Sequence, residues 1–280
     1  MAIGRVSRDE RIEARAAGLT AAEIETFRRD GLVVPAYRLS EALLARTRDA
    51  ATRLTAARPD IRPEFIPLPH VPWDDGEDTR RLAGAFLDVA LTPEFLDLVE
   101  GLLGPDIVFW TAALFCKPSS EGREIPWHQD GVYWPLDPPA TVTLWLALDD
   151  STRANGCLRY VPGSHKTGLM PHSQSDRDGL VLNTAIAEDA VDRDAVQCVE
   201  LEAGQVSLHD IYLIHGSEPN TSPMRRAGLT LRYMPATSHY DRARPMGAGS
   251  NTAPLEFATR PIWLARGADR SGRNDFTIGH

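Results

Sequence analysis

Two residues of this sequence carry the kinds of side chain that bind catalytic iron. His128 and Asp130 stand two positions apart in segment 127–131, which reads Trp-His-Gln-Asp-Gly. On extended backbone, residues i and i+2 point to the same side, so both side chains can reach one point in space. An imidazole and a carboxylate make two-thirds of the facial triad that leaves three iron positions open. Those positions suit oxygen chemistry, with two for a chelating co-substrate and one for O₂.

A third ligand must come from a distant strand, and His215 is the residue that we predict. It ends the strand-like segment 212–215 and is followed by Gly216 and Ser217. Each part has an alternative interpretation, because most His-x-Asp pairs are solvated surface residues and a histidine at a strand end is usually structural. His209, six residues earlier in the sequence, is a competing candidate.

Arg226 precedes a predicted strand at 229–234, and by alternation Arg226, Gly228 and Thr230 share one face. A buried arginine needs a carboxylate partner, because an unpaired interior charge is very costly. A dicarboxylate co-substrate would supply that partner and be gripped bidentately by the guanidinium. The alternative is a surface arginine paired with Asp or Glu, a role for which Arg225 is the better candidate.

The elements that position these residues begin with helices. Thr20 and Glu23 form a capping box for a helix that ends at Gly31. A second helix is predicted after Ser40, and a third after Thr92, with proline at its first helical position.

Strands follow from Ile107 onward. Segment 107–116 is a near-continuous apolar run, and segment 141–148 alternates, with Leu144 and Leu146 on one face and Trp145 on the other. Shorter strands are predicted at 157–161, 196–201, 205–208, 212–214 and 229–234. Many short strands with Gly and Pro between them indicate a sandwich or barrel, with the helices packed outside it.

Composition excludes several classes of protein. The chain has 280 residues and a formal net charge of −9, which disfavours nucleic-acid binding because that needs a basic face. No apolar run approaches the roughly 20 residues that cross a bilayer, and the N-terminus has no apolar signal core, so a cytoplasmic location is expected. Cys116, Cys157 and Cys198 are interpreted as buried free thiols. The oligomeric state is left open.

The ordered set of motifs resembles the phytanoyl-CoA dioxygenase family of iron(II)/2-oxoglutarate oxygenases. The resemblance rests on segments 19–34, 127–130, 143–149, 155–158, 161–165 and 215–217, and on Arg226. It implies a mainly β fold with flanking helices, in which a double-stranded β-helix (jelly roll) forms the core. A single domain over 1–280 is expected, with a mostly helical part at 1–105, the core at 106–240 and a C-terminal extension at 241–280.

The resemblance also implies which residues form the site. Iron(II) is expected on three residues: His128, Asp130 and His215. The co-substrate 2-oxoglutarate is expected near four others: Arg226 and Ser217 at its far carboxylate, Trp145 against it, and Gln129. His165 is interpreted as a structural turn residue despite its tidy motif.

The retained Asp130 favours hydroxylation over halogenation, since family-like halogenases replace this carboxylate with a small residue. The expected reaction oxidises an aliphatic C–H of a small metabolite or natural product and converts 2-oxoglutarate and O₂ to succinate and CO₂. Two other classes stay open: a jelly-roll metalloprotein that does not use 2-oxoglutarate, and a family-like binding protein without activity. Arg226 argues against the first, and the complete triad argues against the second.

The small-molecule substrate is expected to enter beside the iron under two predicted loops, 58–78 and 166–194. Tyr133 and Trp134, just past Asp130, are candidates for the wall of its pocket. Two aromatic side chains that pack a strand end are the alternative. Further candidates for the mouth of the pocket are His70, His172 and His239.

Overall fold

The structure is a computed structural model that describes residues 18–175, 177–244 and 257–280. Helices occupy the N-terminal part of the described chain: α1 (Ala21–Asp30), α2 (Glu41–Ala57), α3 (Glu77–Ala90) and α4 (Pro93–Leu103). Two short strands, β1 (Leu32–Val33) and β2 (Ile66–Pro67), lie between these helices. The other strands follow α4: β3 (Ile107–Lys117), β4 (Ile125–His128), β5 (Leu136–Asp137), β6 (Val142–Ala147), β7 (Leu158–Tyr160), β8 (Ser173–Gln174), β9 (Thr184–Ala185), β10 (Gln197–Val199), β11 (Val206–Asp210), β12 (His215–Ser217), β13 (Arg226–Pro235), β14 (His239–Tyr240) and β15 (Trp263–Arg266). The fold is therefore mainly β with a few helices, as the sequence predicts.

The helix signals of the sequence are confirmed at three helices, and one helix was missed. The Thr20 side chain accepts from the backbone of Glu23 while the Glu23 side chain accepts from the backbone of Thr20, and α1 stops at Gly31, which has a φ of 79°. The prediction of a loop through position 78 is wrong at its end, because α3 already begins at Glu77. Its buried stripe includes Leu82 and Phe86, which the proline-rich acidic segment before them obscured.

Two antiparallel sheets hold most of the strands. The large sheet has the order β1-β11-β6-β13-β3-β15, with β2 also paired to β3, and the small sheet has the order β10-β7-β12-β4. Strands from the predicted helical part (β1, β2) and from the predicted C-terminal extension (β15) both join the large sheet. Two short ribbons, β14-β5 and β8-β9, lie outside these sheets.

The main apolar core lies between the helices and one face of the large sheet. Leu144 and Leu146 of β6 and Leu229 of β13 belong to this core together with Phe86 of α3. Trp145 points to the opposite face, as the alternation in the sequence predicts. Because one face of the sheet is used for the helices, the polar side chains of the other face are left to build a site. Within the described ranges, no helix has the length and apolar character that a membrane crossing requires.

Candidate active site

Strand pairing brings the two candidate histidines side by side. His128 ends β4, and the antiparallel register of β4 and β12 makes His215 its direct partner. Gln129 has extended backbone (φ −121°, ψ 133°), so Asp130 emerges on the same side as His128. The prediction of a strand at 212–214 is wrong, because His215 begins β12 instead of ending a strand.

The three side chains form a compact and buried cluster. One ligand atom from each of His128, Asp130 and His215 lies within 4.8 Å of the others, and Nε2 of His128 is 3.7 Å from Oδ1 of Asp130. Nδ1 of His128 is 2.8 Å from the carbonyl oxygen of Pro126, and Nδ1 of His215 is 2.9 Å from that of Leu213. Each carbonyl accepts a hydrogen bond from Nδ1–H, which keeps the proton on Nδ1 and leaves the Nε2 lone pair of each ring for a metal ion.

Electrostatics hold the cluster in the protonation state that a divalent cation needs. Burial lowers the pKa of His128 and holds the pKa of His215 well below its ordinary value, so both rings are neutral at pH 7. Burial opposes ionisation of Asp130, but the Arg232 guanidinium and the ring of His209 outweigh it and hold the pKa of Asp130 below its ordinary value. Two neutral imidazoles and one carboxylate therefore meet, and this donor set fits iron(II).

Two further residues contact the other oxygen of Asp130. Oδ2 accepts a hydrogen bond of 3.4 Å from Oγ1 of Thr143 and lies 3.6 Å from Nε2 of His209. The register of β11 and β6 pairs His209 with Thr143, which explains why both reach the same carboxylate. His209 is thus a neighbour of the cluster and not a member of it, in agreement with the preference for His215.

Arg226 is a buried cation beside this cluster. It lines a cavity of about 450 Å³ together with all three residues of the cluster. Its side chain is 2% exposed, its Nε has no hydrogen-bond partner, and it forms no ion pair with a described carboxylate. Burial lowers its pKa to about 10, so it stays charged at pH 7. The neighbouring Arg225 has the other role that the sequence suggested, that of an arginine paired with an acidic residue, because it forms an ion pair with Asp149 at 2.8 Å.

Two other predicted residues line the same cavity. The Trp145 ring lies under the Arg226 guanidinium, at 5.5 Å between the ring centroid and Cζ. Ser217 is buried and its Oγ has no hydrogen-bond partner. Lys117 donates to the carbonyl oxygen of Ser217 at 3.3 Å and to that of Glu218, and so holds the backbone in place beside Ser217. No local sequence pattern identifies this role of Lys117. A carboxylate could use Arg226 and Ser217 together.

Gln129 differs from the expectation that it contacts 2-oxoglutarate. Its Nε2 donates to the carbonyl oxygens of Gly168 (2.8 Å) and Tyr212 (2.6 Å), and its Oε1 accepts from the backbone of Met170 at 2.7 Å. The side chain is fully buried and lines neither cavity of the site. These hydrogen bonds connect the loop after β7 to the turn before His215, and they occupy both ends of the Gln129 amide.

A second cavity shares His128 and Asp130 with the first. Tyr133 and Trp134 line it, which places both candidate wall residues next to the cluster. The Tyr133 hydroxyl donates to the carbonyl oxygen of Thr184 at 3.2 Å.

The histidines proposed for the mouth of the pocket lie elsewhere. His70 is packed between the rings of Phe109 and Trp263, and it lines neither cavity. His172 accepts a hydrogen bond of 3.0 Å from the backbone of Gln129, and His239 lies in β14. The ring of His165 packs against Gly31, which fits the structural role assigned to it.

Gly228→Ala tests how tightly Trp145 is held. The added methyl group would overlap the Trp145 indole, and overpacking of this kind costs about 1–3 kcal/mol. We expect the free energy of unfolding in urea to fall by that amount. Gly84→Ala on α3 is the control, because nothing surrounds its added methyl and stability should rise by about 0.5–1 kcal/mol. A Gly228→Ala variant with an unchanged free energy of unfolding would contradict the close packing of Trp145.

Fold and site together define a class: a protein of two antiparallel sheets with a buried His/Asp/His group that could hold a metal ion and a buried arginine beside it. The sequence model of the phytanoyl-CoA dioxygenase family matches residues 27–228. This match covers more than half of the chain, and the protein therefore belongs to the phytanoyl-CoA dioxygenase family.

Individual relatives are similar over shorter stretches. The peroxisomal phytanoyl-CoA dioxygenase of Bos taurus is 33% identical over 153 residues, which are 53% of this chain and 45% of the bovine one. A probable alpha-ketoglutarate-dependent hypophosphite dioxygenase of Stutzerimonas stutzeri is 30% identical over 145 residues, 51% of this chain and 50% of that one. The chain thus matches about half the length of these curated relatives. Among solved structures, the apo form of the non-heme monooxygenase ThoJ is similar with a TM-score of 0.66 and 30% identity, covering 90% of this chain and 85% of that chain.

Proposed function

We propose that this protein is a non-haem iron(II) dioxygenase that uses 2-oxoglutarate and O₂ to hydroxylate an aliphatic C–H of a small metabolite or natural product. The observation that carries the proposal is Arg226. A cation buried to this degree without a described carboxylate is costly, and it lines the same cavity as the cluster of His128, Asp130 and His215. A dicarboxylate that chelates the metal and reaches Arg226 would complete the coordination of the metal and balance the charge of the arginine.

Each residue of the site has a proposed part in this reaction. His128, Asp130 and His215 would hold iron(II), and Arg226 with Ser217 would bind the far carboxylate of 2-oxoglutarate. Trp145 would pack against the co-substrate.

When bound, the iron supplies the oxidising chemistry, in which 2-oxoglutarate and O₂ become succinate and CO₂. The chain itself positions the C–H bond and excludes water, since the cluster is buried and the second cavity is lined by Tyr133 and Trp134.

The names of the relatives support the chemistry but do not select a substrate. One is named for phytanoyl-CoA and another for hypophosphite and alpha-ketoglutarate. Aromatic and aliphatic side chains, Asp130 and two arginines line the second cavity, a mixture of apolar walls and a few polar groups that is typical of sites for small organic molecules. This lining favours a small metabolite as the substrate.

We also propose that the two sheets are the faces of a double-stranded β-helix, a jelly roll, and that residues 1–280 form one domain. The antiparallel pairing within both sheets and the enclosure of the cluster beside them support this topology. The contributions of β1, β2 and β15 to the large sheet support a single domain, because segments before and after the core complete one sheet.

Anaerobic titration with iron(II) and 2-oxoglutarate tests the proposed function. The expected result is one iron per chain and a weak visible charge-transfer band that appears only when both are present. The two alternative classes predict other results. A metalloprotein that does not use 2-oxoglutarate would bind iron without the band, and an inactive binding protein would release no succinate with any compound of a metabolite panel. Absence of the band, with no change on Arg226→Ala, would refute the proposal.

A further inference from the structure

Arg232 lies on the same face of β13 as Arg226. The alternation that places Arg226, Gly228 and Thr230 on the inner face continues to Arg232. Six residues at about 3.3 Å each separate the two arginines by roughly 20 Å along the strand. Arg226 lines the first cavity, whereas Arg232 lines both cavities. Arg232 therefore reaches a volume that Arg226 does not.

Arg232 is buried without a satisfying partner. Its side chain is 7% exposed, its Nε has no hydrogen-bond partner, and it makes no ion pair with a described carboxylate. The guanidinium lies 4.8 Å from the centroid of the Trp134 ring. Stacking uses the flat face of a guanidinium and leaves its N–H edge available for an anion.

Asp130 is the carboxylate that raises the pKa of Arg232, but its negative charge is also needed to bind a divalent cation. Burial lowers the pKa of Arg232, and Asp130 opposes this shift from a distance. The oxygens of Asp130 face His128 at 3.7 Å and His209 at 3.6 Å. A divalent cation on the cluster would take up the negative charge of Asp130. Arg232 would then be a buried charge without a counter-charge among the described residues, and an anionic molecule in the cavity could balance it.

Arg260 adds a second cation to the same cavity. It is 6% exposed, its guanidinium lies 5.1 Å from the Phe257 ring centroid, and its Nη1 donates to Oγ1 of Thr111 at 3.5 Å. All three residues line the second cavity. Among the described residues that line it, Asp130 is the only carboxylate.

We propose that the primary substrate is a small organic anion whose carboxylate or phosphonate group binds Arg232, with Arg260 at the same end. This inference rests on the proposed function, because it places the substrate beside the metal cluster. The remaining walls are apolar and largely aromatic: Phe65, Phe115, Tyr133, Trp134, Leu182 and Phe257. The substrate is therefore an oxyanion with a hydrophobic body that lies between these rings.

Three probes that share a phenylethyl body test the inference: 3-phenylpropionate, 2-phenylethylphosphonate and 3-phenylpropionamide, the neutral isostere of the carboxylate. Their affinities are measured by calorimetry on the whole protein, both without additions and under anaerobic iron(II) and saturating 2-oxoglutarate. At least one anion is expected to bind about ten- to hundredfold more tightly than the amide. The tighter anion identifies whether the group is a carboxylate or a phosphonate.

Two variants locate that preference. Arg232→Met should abolish it, and Arg232→Lys, which keeps the charge but not the forked geometry, should retain part of it. Arg80→Met, an exposed arginine on α3, is the control and should leave all affinities unchanged. If Arg232→Met does not fold, the lysine variant still tests the proposal. An unchanged preference for the anion in Arg232→Lys would overturn it. Equal binding of the amide and the anions by the parent protein would overturn it as well.

The 2-oxoglutarate titration separates this inference from the proposed function. Arg232→Lys, which keeps the positive charge beside Asp130, is expected to keep the charge-transfer band and the affinity for 2-oxoglutarate. A loss of 2-oxoglutarate affinity as large as the loss of anion binding would assign Arg232 to the co-substrate and overturn the inference. A parent protein that forms the band but binds the amide as tightly as the anions would refute the inference alone. A parent protein without the band would refute the proposed function instead.

Discussion

Asp130→Ala is expected to abolish iron binding and succinate formation. The substitution removes one of three ligands from a buried cluster whose other two members are neutral imidazoles. Changes to residues that only orient a ligand typically cost 10- to 100-fold in metal affinity, so loss of the ligand itself should cost more than about 100-fold. Iron content after anaerobic loading and succinate release in air measure the two effects.

The matched control is Asp88→Ala, which removes an exposed aspartate that pairs with Arg46 at 2.7 Å. An exposed ion pair contributes about 0–1 kcal/mol, so this variant should retain iron and activity. Circular dichroism establishes that both variants are folded. Stoichiometric iron in Asp130→Ala would show that the metal is held by other residues, and His209, 3.6 Å from Asp130, would be the first to examine.

Arg226→Met is expected to weaken 2-oxoglutarate binding while leaving iron binding intact. Truncating one partner of a buried, hydrogen-bonded charge pair costs about 2–5 kcal/mol, so the Kd for 2-oxoglutarate should rise by roughly 30-fold or more. The anaerobic titration gives this Kd directly. Because Arg226 has no described anionic partner, its replacement by methionine should leave the stability of the 2-oxoglutarate-free protein unchanged or higher.

The neighbouring Arg225→Met serves as the control for Arg226. Arg225 is partly exposed and pairs with Asp149, so its loss should change the Kd for 2-oxoglutarate by less than about threefold, in keeping with an exposed pair. A purely structural role for Arg226 makes the opposite prediction: a lower Tm with unchanged 2-oxoglutarate binding.

Local patterns predicted the parts of the site that depend on one segment. The i, i+2 spacing placed His128 and Asp130 together because Gln129 between them is extended. Alternation in β6 separated Leu144 from Trp145 correctly. These predictions needed only the periodicity of a strand.

Features that depend on pairing between distant segments were harder to predict. The residues that follow His215 favour it as the third ligand, but no local pattern indicates that it pairs directly with His128 or that it begins a strand. The role of Gln129 in tying two loops together requires knowledge of their positions. Arg232 could be predicted from a local pattern, because the alternation that places Arg226 on the inner face of β13 places Arg232 on the same face.

The register that pairs His128 with His215 links iron to the order of folding. β4 and β12 lie far apart in the sequence, so the contact closes a long loop and belongs to the slow, non-local part of folding. An iron ion held by His128, Asp130 and His215 would meet all of these proposed ligands only after both strands have joined the small sheet. Its binding would then stabilise the native chain, since the unfolded chain offers no assembled site. Iron would therefore bind to the finished fold and would not nucleate it.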